Sequence, residues 1–308
     1  LEFRRPFDAR RAAPVRVSLT RFAPDDHLLI LAANDAFVDS DSTWQVLSEL
    51  AASYSERSLA PPVASGPHLL GSWQHETRVP PAGEVRDIVS AALSEAPWTP
   101  TLPTDFSRPP HRGYLAKRVS FRLSEVVSAR VNALAASLHE APSAVLFAAL
   151  AVQLSRSAGR SDVALVYEPR GRDRVGLLGV VTSMRQPVQV RLSVNPSAPF
   201  SDVIRESAKV LRRSREEQAG DRWLSEADAH PLMARLSGES SDYPLVGSFA
   251  MVPAPPPLEF KGLTATVEVE PRAVTLWPVA LTLSASRQGY TGALTYSQEQ
   301  FSEQTAQR

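Results

Sequence analysis

The sequence predicts an α/β protein of two lobes or domains, and three observations carry that reading. Segments that alternate apolar and polar side chains are interleaved with segments in which apolar residues recur at helical spacing. The chain has 308 residues, 43% of them hydrophobic, which is enough for a large core and longer than most single domains. A proline-rich run, "PWTPTLPTDFSRPPHRG" at 97–113, interrupts the pattern, which then restarts. The expected division is an N-terminal lobe at 1–96, a crossing linker at 97–113 and a C-terminal lobe at 114–308.

In order along the chain, "VRVSLTRF" at 15–22 alternates, turns at "APDD" and returns as "HLLILAA", an antiparallel pair. The second strand is apolar on both faces and is expected to be central. An acidic turn follows, with Asn34, Asp35, Asp39, Asp41 and Ser42. The Ser42 hydroxyl is expected to cap a helix that places Trp44, Leu47, Leu50, Ala51 and Tyr54 on one face. From 60 to 113 proline recurs too often for regular structure, apart from a helix at 84–95.

After the linker, "RVSFRL" reads as a strand and Ser124 to Leu138 as a helix. "PSAVLFAALAVQLSRS" is a helix apolar nearly all round, hence buried. "DVALVY" and "PVQVRLSV" are strands, and "SDVIRESAKVLRRSREEQ" is a long helix with a highly charged polar face. The end is all strand: "PLVGSFAMV", "TATVEVE", and "ALTLSASRQGYTGALTYS", a hairpin turning at Gln288 and Gly289.

Composition excludes several classes. Thirty-three basic residues balance thirty-three acidic ones, so no global field draws the chain to nucleic acid or an anionic membrane. With no cysteine there is no disulfide, thiolate metal site or cysteine nucleophile. The most apolar run, "AVLFAALAV" at 144–152, is well short of a membrane span. No signal-peptide pattern opens the chain, so a cytoplasmic location is expected; the start at "LEFRRPFDARRAAP", without methionine, reads as cut from something longer. The six histidines show no zinc-ligand spacing, and no metal site is expected. GxGxxG, GxxxxGK[ST] and GxSxG are all absent.

Two features remain. The acidic turn joins a strand to a helix N-terminus, and "YEPRGRDR" at 167–174 packs three arginines and two acids behind a strand. An arginine reaching a buried carboxylate forms a bidentate pair that lysine cannot, and Asp39 is the candidate carboxylate.

Taken together, "NDAFVDS", "LPTDFSRPP", "VALVYEPRGRDR", "LLGVVTSMRQPVQVRL", "PLVGSFAMV" and "GALTYSQEQFSEQT" resemble, in consistent order, the condensation domains of nonribosomal peptide synthetases. The resemblance implies the α/β chloramphenicol-acetyltransferase-like fold, two similar lobes, each a mixed sheet flanked by helices, in a V with a tunnel between them. It further implies partner peptidyl carrier proteins, no resident cofactor, and a substrate presented on the carrier's phosphopantetheine arm. The family's opening strand and helix, normally before "FDARRAAP", are missing, which would leave an exposed sheet edge.

The family's acidic turn is HHxxxDG, in which the second histidine activates the acceptor amine and the aspartate pairs with an arginine from the other lobe. That motif lays Asn34 on the first histidine, Asp35 on the catalytic one, Asp39 on the aspartate and Ser40 on the glycine. Arg172 matches the family arginine, so an Asp39–Arg172 pair across the lobes is expected. By residue type, an aspartate with a reference pKa of about 3.9 is a much weaker base than an imidazole at about 6.5. The tunnel-lining "NTLP" segment reads "SMRQP" here, with Ser183, Met184 and Arg185, and Arg185 is expected to obstruct the tunnel.

Heterocyclisation domains, whose turn is DxxxxDxxS, match at Asp39 and Ser42 but not at Asn34, and Thr182–Ser183 resemble their threonine-serine step. The reading implied is a catalytically degenerate condensation-like domain that scaffolds a carrier-bound peptide and recruits a tailoring oxygenase. The arginine-rich helix from Val203 to Gln218 is either its recognition face or a solvated one. An active condensation or heterocyclisation domain is the alternative.

Overall fold

The structure, a computed structural model, describes residues 5, 7–8, 13–59, 102–107, 113–172, 179–184, 187–219, 247–270 and 274–308. The helix expected at 84–95, much of the linker at 97–113 and Arg185 lie outside the described residues. The chain forms two compact units. The first gathers Leu1–Gly71, Gly171–Arg185 and Pro253–Glu268, and the second Ser72–Arg170, Gln186–Val252 and Val269–Arg308. Both are discontinuous in sequence, unlike the continuous lobes at 1–96 and 114–308 drawn from the proline-rich break. A reading along the chain cannot register segments that return from afar.

In the first unit, strands β1 (Val15–Ala23) and β2 (Asp26–Ala33) form an antiparallel hairpin with Leu19 opposite Leu29. β2 is not central among the described residues: its two-stranded sheet contains β1 alone, and Leu28 and Leu29 are exposed. Apolar side chains on both faces show what a strand could bury, not what covers it. Helix α1 (Ser40–Tyr54) follows. Its N-cap is Asp39, in extended conformation with the side chain accepting from the Ser42 backbone N–H, so Ser42 is not the cap expected from sequence. Both residue types cap helices well, and composition alone does not choose between them.

The second unit is built on a six-stranded mixed sheet. Its strands are β3 (Ala116–Arg122), β4 (Asp162–Glu168), β5 (Val188–Ser193), β6 (Gly247–Pro253), β7 (Val279–Ser286) and β8 (Gly289–Ser297). They lie in the order β3-β8-β7-β6-β4-β5, with β4 parallel to β6, and with the pairs β3/β8, β7/β8 and β4/β5 antiparallel. Helices α2 (Glu125–Ser137), α3 (Pro142–Ala158), α4 (Phe200–Ala219) and α5 (Glu303–Gln307) complete it. α3 begins with Pro142 in its first turn and ends at Gly159 in the left-handed region (φ +63°), the usual asymmetry of helix ends. Its Phe147, Ala148 and Ala151 are fully buried with Leu165, Tyr167, Ile204 and Phe249, and Phe147 meets Phe249 edge-on at 5.3 Å.

Two expectations are corrected here. "TATVEVE" at 264–270 forms no strand; Val267 and Val269 are exposed, and only the isolated bridges Phe260–Leu263 and Leu115–Val274 flank it. Alternation makes a strand only where a neighbouring edge is on offer. In the β7–β8 hairpin Ser286 pairs with Gly289, so the turn residues are Arg287 and Gln288, one position earlier than expected. Gly289 starts β8 at φ +107°, where an added Cβ would lie 2.4 Å from the Ser128 Oγ. Among the described residues no single helix is long and apolar enough to cross a membrane.

Candidate functional site

The acidic turn is assembled by its own side chains. The Asn34 N–H donates to the Pro14 carbonyl at 2.8 Å, extending the hairpin by one bond. The Asn34 Oδ1 accepts from the Ala36 N–H at 3.1 Å, and its carbonyl accepts from Phe37 and Val38, both at 2.9 Å. Asn34 thus folds the turn as an Asx motif and leaves Asp35 solvent-exposed. The chain then dives: Val38, Asp39 and Ser42 are buried, while Ser40 and Asp41 are partly so.

Arg172 comes to this turn from beyond β4. Gly171 allows the approach, with φ +68° and so little room that an added Cβ would lie 2.5 Å from the Met184 carbonyl oxygen. The Arg172 Nη2 donates to the Asp39 Oδ1 at 2.7 Å, the Ser42 Oγ at 2.7 Å and the Thr182 carbonyl at 2.9 Å, while Nη1 donates to the Val180 carbonyl at 2.8 Å. The second carboxylate oxygen, Asp39 Oδ2, accepts from the Met184 N–H at 3.0 Å. Ser42 Oγ donates to the Thr182 carbonyl at 2.6 Å and accepts from the Thr182 N–H at 2.9 Å.

Two details differ from expectation. The pair is end-on rather than bidentate, because the second carboxylate oxygen is occupied by a backbone amide. It also lies within the first unit, to which Gly171–Arg185 belongs, rather than joining two units. With Asp39 4% and Arg172 6% exposed, the desolvation penalty is offset only because nearly every polar atom has a partner. The exception is Arg172 Nε, which lacks a hydrogen bond and lies 4.0 Å from Asp41 Oδ2.

The remaining residues are placed as follows. Ser183 is half-buried. Met184 is buried with Val180. On α4, Arg205 bonds Asp202 at 2.8 Å, Lys209 bonds Glu206 at 2.6 Å, Arg212 bonds Glu140, and Arg215 donates to the Tyr167 hydroxyl at 3.2 Å. These cations are therefore engaged within the protein. Among the described residues no group of three or more histidine or carboxylate side chains could hold a metal ion. Sequence reasoning missed the Met184 amide as an Asp39 ligand and Ser42 as the hub between Arg172 and Thr182. The first leaves no sequence signal, since every residue but proline carries a backbone donor. The second does, in the spacing DxxS.

A sequence model described as "Condensation domain" matches residues 90–308, well over half of the chain. The chain belongs to the condensation-domain family. The matched stretch contains Arg172 and the 179–184 segment, while the acidic turn precedes it. Among curated relatives, this condensation domain is 26% identical over 218 residues to surfactin synthase subunit 2 of Bacillus subtilis (strain 168), covering 70% of the chain and 6% of that protein. It is 26% identical over 213 residues to tyrocidine synthase 2 of Brevibacillus parabrevis, covering 66% of the chain and 6% of that protein. The chain thus spans about 6% of the length of these relatives.

Among solved structures, the X-domain from teicoplanin biosynthesis superposes with a TM-score of 0.75 at 21% identity, covering 99% of this chain and 71% of that one. The same X-domain in complex with OxyB gives 0.73 at 21% identity, with 98% and 69% covered. The first condensation domain of the calcium-dependent antibiotic synthetase gives 0.72 at 15% identity, with 98% and 68% covered. At these identities the likeness speaks for the fold, which is the chloramphenicol-acetyltransferase-like α/β fold expected from the sequence.

Proposed function

We propose that this condensation domain is a catalytically degenerate member of a nonribosomal peptide synthetase, retained as a scaffold for carrier-bound peptide and as a recruitment platform for a tailoring oxygenase. The observation that carries the reading is the split within the acidic turn. Asp39, Ser42 and Arg172 form a buried network. The position where the family resemblance puts the catalytic imidazole holds Asp35, exposed at the tip of a turn that Asn34 folds. A carboxylate can hydrogen-bond an ammonium, which stabilises the unreactive form of the acceptor amine rather than the nucleophile. The X-domain complexed with OxyB supplies the precedent for recruitment. On this reading the partners are peptidyl carrier proteins with their phosphopantetheine arms, and the location is cytoplasmic.

An active heterocyclisation domain is the second reading, favoured by Asp39 and Ser42 standing in one network at the DxxS spacing. A single-turnover assay that reads intact carrier-protein masses separates the two, run with the domain in its synthetase beside an Asp35→His variant. We expect no mass transfer from the parent above the uncatalysed control. Product from the parent would establish a working site and end the scaffold reading, and product from the variant alone would assign the inactivity to position 35.

A further inference from the structure

Two stretches far from α1 in sequence join it in the first unit, and they hold its two ends by different means. At the N-terminal end the holding network is Asp39 and Ser42 with Arg172, Val180, Thr182 and Met184, buried and charge-assisted. At the C-terminal end the partner is Pro253–Glu268. The Ser55 Oγ, on the residue that caps the helix, donates to the Glu259 carbonyl at 3.2 Å and accepts from the Lys261 N–H at 2.9 Å. The Arg57 Nη2 donates to the same carbonyl at 2.9 Å, and Lys261 Nζ donates to Glu56 Oε2 at 3.3 Å. Tyr54 meets Phe260 edge-on at 5.6 Å.

None of the residues from 253 to 268 is buried. The ion-pair side chains are half to four-fifths exposed, at 50% and 77% for Arg57–Glu259 and 70% and 82% for Lys261–Glu56. Such exposed pairs contribute little and weaken with salt. Beyond Pro253, which ends β6, Pro255, Pro256 and Pro257 carry no N–H donor and fix φ, so this stretch of the arm is stiff and offers no ladder donors. Gly262, at φ +77° with nothing within 4 Å of an added Cβ, turns the chain in open space.

We propose that Pro253–Glu268 is a strap that releases the C-terminal end of α1 as a local opening, while the buried network keeps the N-terminal end of the helix fixed. The strap has no fully buried residue and only exposed side-chain hydrogen bonds to α1, whereas the 179–184 segment has buried Val180 and Met184 and enclosed hydrogen bonds, the features that tie a segment to global unfolding. The inference stands whether or not the domain turns substrate over.

Amide hydrogen exchange on the intact chain tests it. The Lys261 amide, bonded to Ser55, is expected to be protected at least about a hundredfold less than the Met184 amide, bonded to Asp39. Added salt should speed Lys261 and leave Met184 unchanged. Ser55→Ala, which removes two exposed hydrogen bonds, should accelerate Lys261 by at least about fivefold without moving Met184. Equal protection at the two amides, exchange of Lys261 only through global unfolding, or an equal response of both to Ser55→Ala would show one cooperative body and overturn the proposal.

Discussion

Removing the Asp39 carboxylate is the most informative perturbation of the first unit, because each of its contacts can be followed. Asp39→Ala takes away the N-cap acceptor of the Ser42 amide, which is worth about 1 kcal/mol. It also orphans the Met184 amide and leaves the Arg172 guanidinium, 6% exposed, without its hydrogen-bonded counter-charge, with Asp41 4.0 Å away. Breaking a buried pair from one side costs about 3–5 kcal/mol, and since these contributions overlap we expect roughly 4 kcal/mol in all. Asp39→Asn keeps a capping oxygen and should recover roughly 1–2 kcal/mol of that loss. Asp41→Ala is the internal control: its carboxylate lies 4.0 Å from Arg172 Nε, beyond hydrogen-bond range, so its loss should cost less than that of Asp39, whose two oxygens accept three hydrogen bonds. Urea unfolding followed by tryptophan fluorescence measures all three, with Trp44 in α1 reporting on the first unit. If Asp39→Ala and Asp41→Ala destabilise equally, the network does not hold the turn and the reasoning fails.

The double variant Asp39→Ala/Arg172→Met should be more stable than the sum of its single variants implies, by about 1–3 kcal/mol in a double-mutant cycle; strict additivity would deny the pair. Gly171→Ala forces a side chain into the left-handed region against the Met184 carbonyl and should cost at least about 2 kcal/mol by the same urea assay, with a neutral result refuting the steric argument. Asp105 accepts from the Ser302 backbone N–H at 2.7 Å and from the Thr305 hydroxyl at 2.9 Å, and these bonds, the backbone one foremost, hold its carboxyl below the usual carboxylate value. A depressed pKa stabilises the fold above the unfolded value and loses that contribution as pH falls through the folded one, so the Ser302 amide resonance should shift with its midpoint below the usual carboxylate value. An inflection at higher pH, or one that persists in Asp105→Asn, would contradict this.

The second unit was largely legible in the sequence because its signals are local. α3 announces itself by a proline at its start, a glycine at its end and an apolar surface all round, and Ser124 caps α2 where the serine stands. The first unit was less legible because its order comes from afar. Nothing near Asp39 tells it apart from Ser42 as the cap; the choice is made by Arg172, whose side chain arrives 133 residues later. "TATVEVE" shows the converse, a local strand signal without a partner among the described residues. Residue chemistry pointed to Asp39 as partner of an arginine in "YEPRGRDR" and family resemblance singled out Arg172, but the end-on geometry was not reachable, since it depends on a backbone amide of Met184.

The same network narrows what chemistry the acidic turn can offer. Asp39 has one oxygen shared by the Ser42 amide and Arg172 and the other taken by the Met184 amide, in a site closed to solvent. A general base must reach the proton it abstracts, so a buried carboxylate with both oxygens engaged is excluded on geometry before its basicity is considered. Ser42 is no freer, because its hydroxyl is donated to the Thr182 carbonyl. Arg172 balances Asp39 and is committed to carbonyls on either side of Val181. Any enzymatic reading that draws its base from this turn therefore falls on Asp35, the exposed member, since Asp41 is 16% exposed and stands 4.0 Å from the Arg172 Nε. That is why position 35, and not the intact half of the motif, decides between scaffold and catalyst. Asp39 and Arg172 would be required to fold the first unit in either case, so their presence carries no information about turnover.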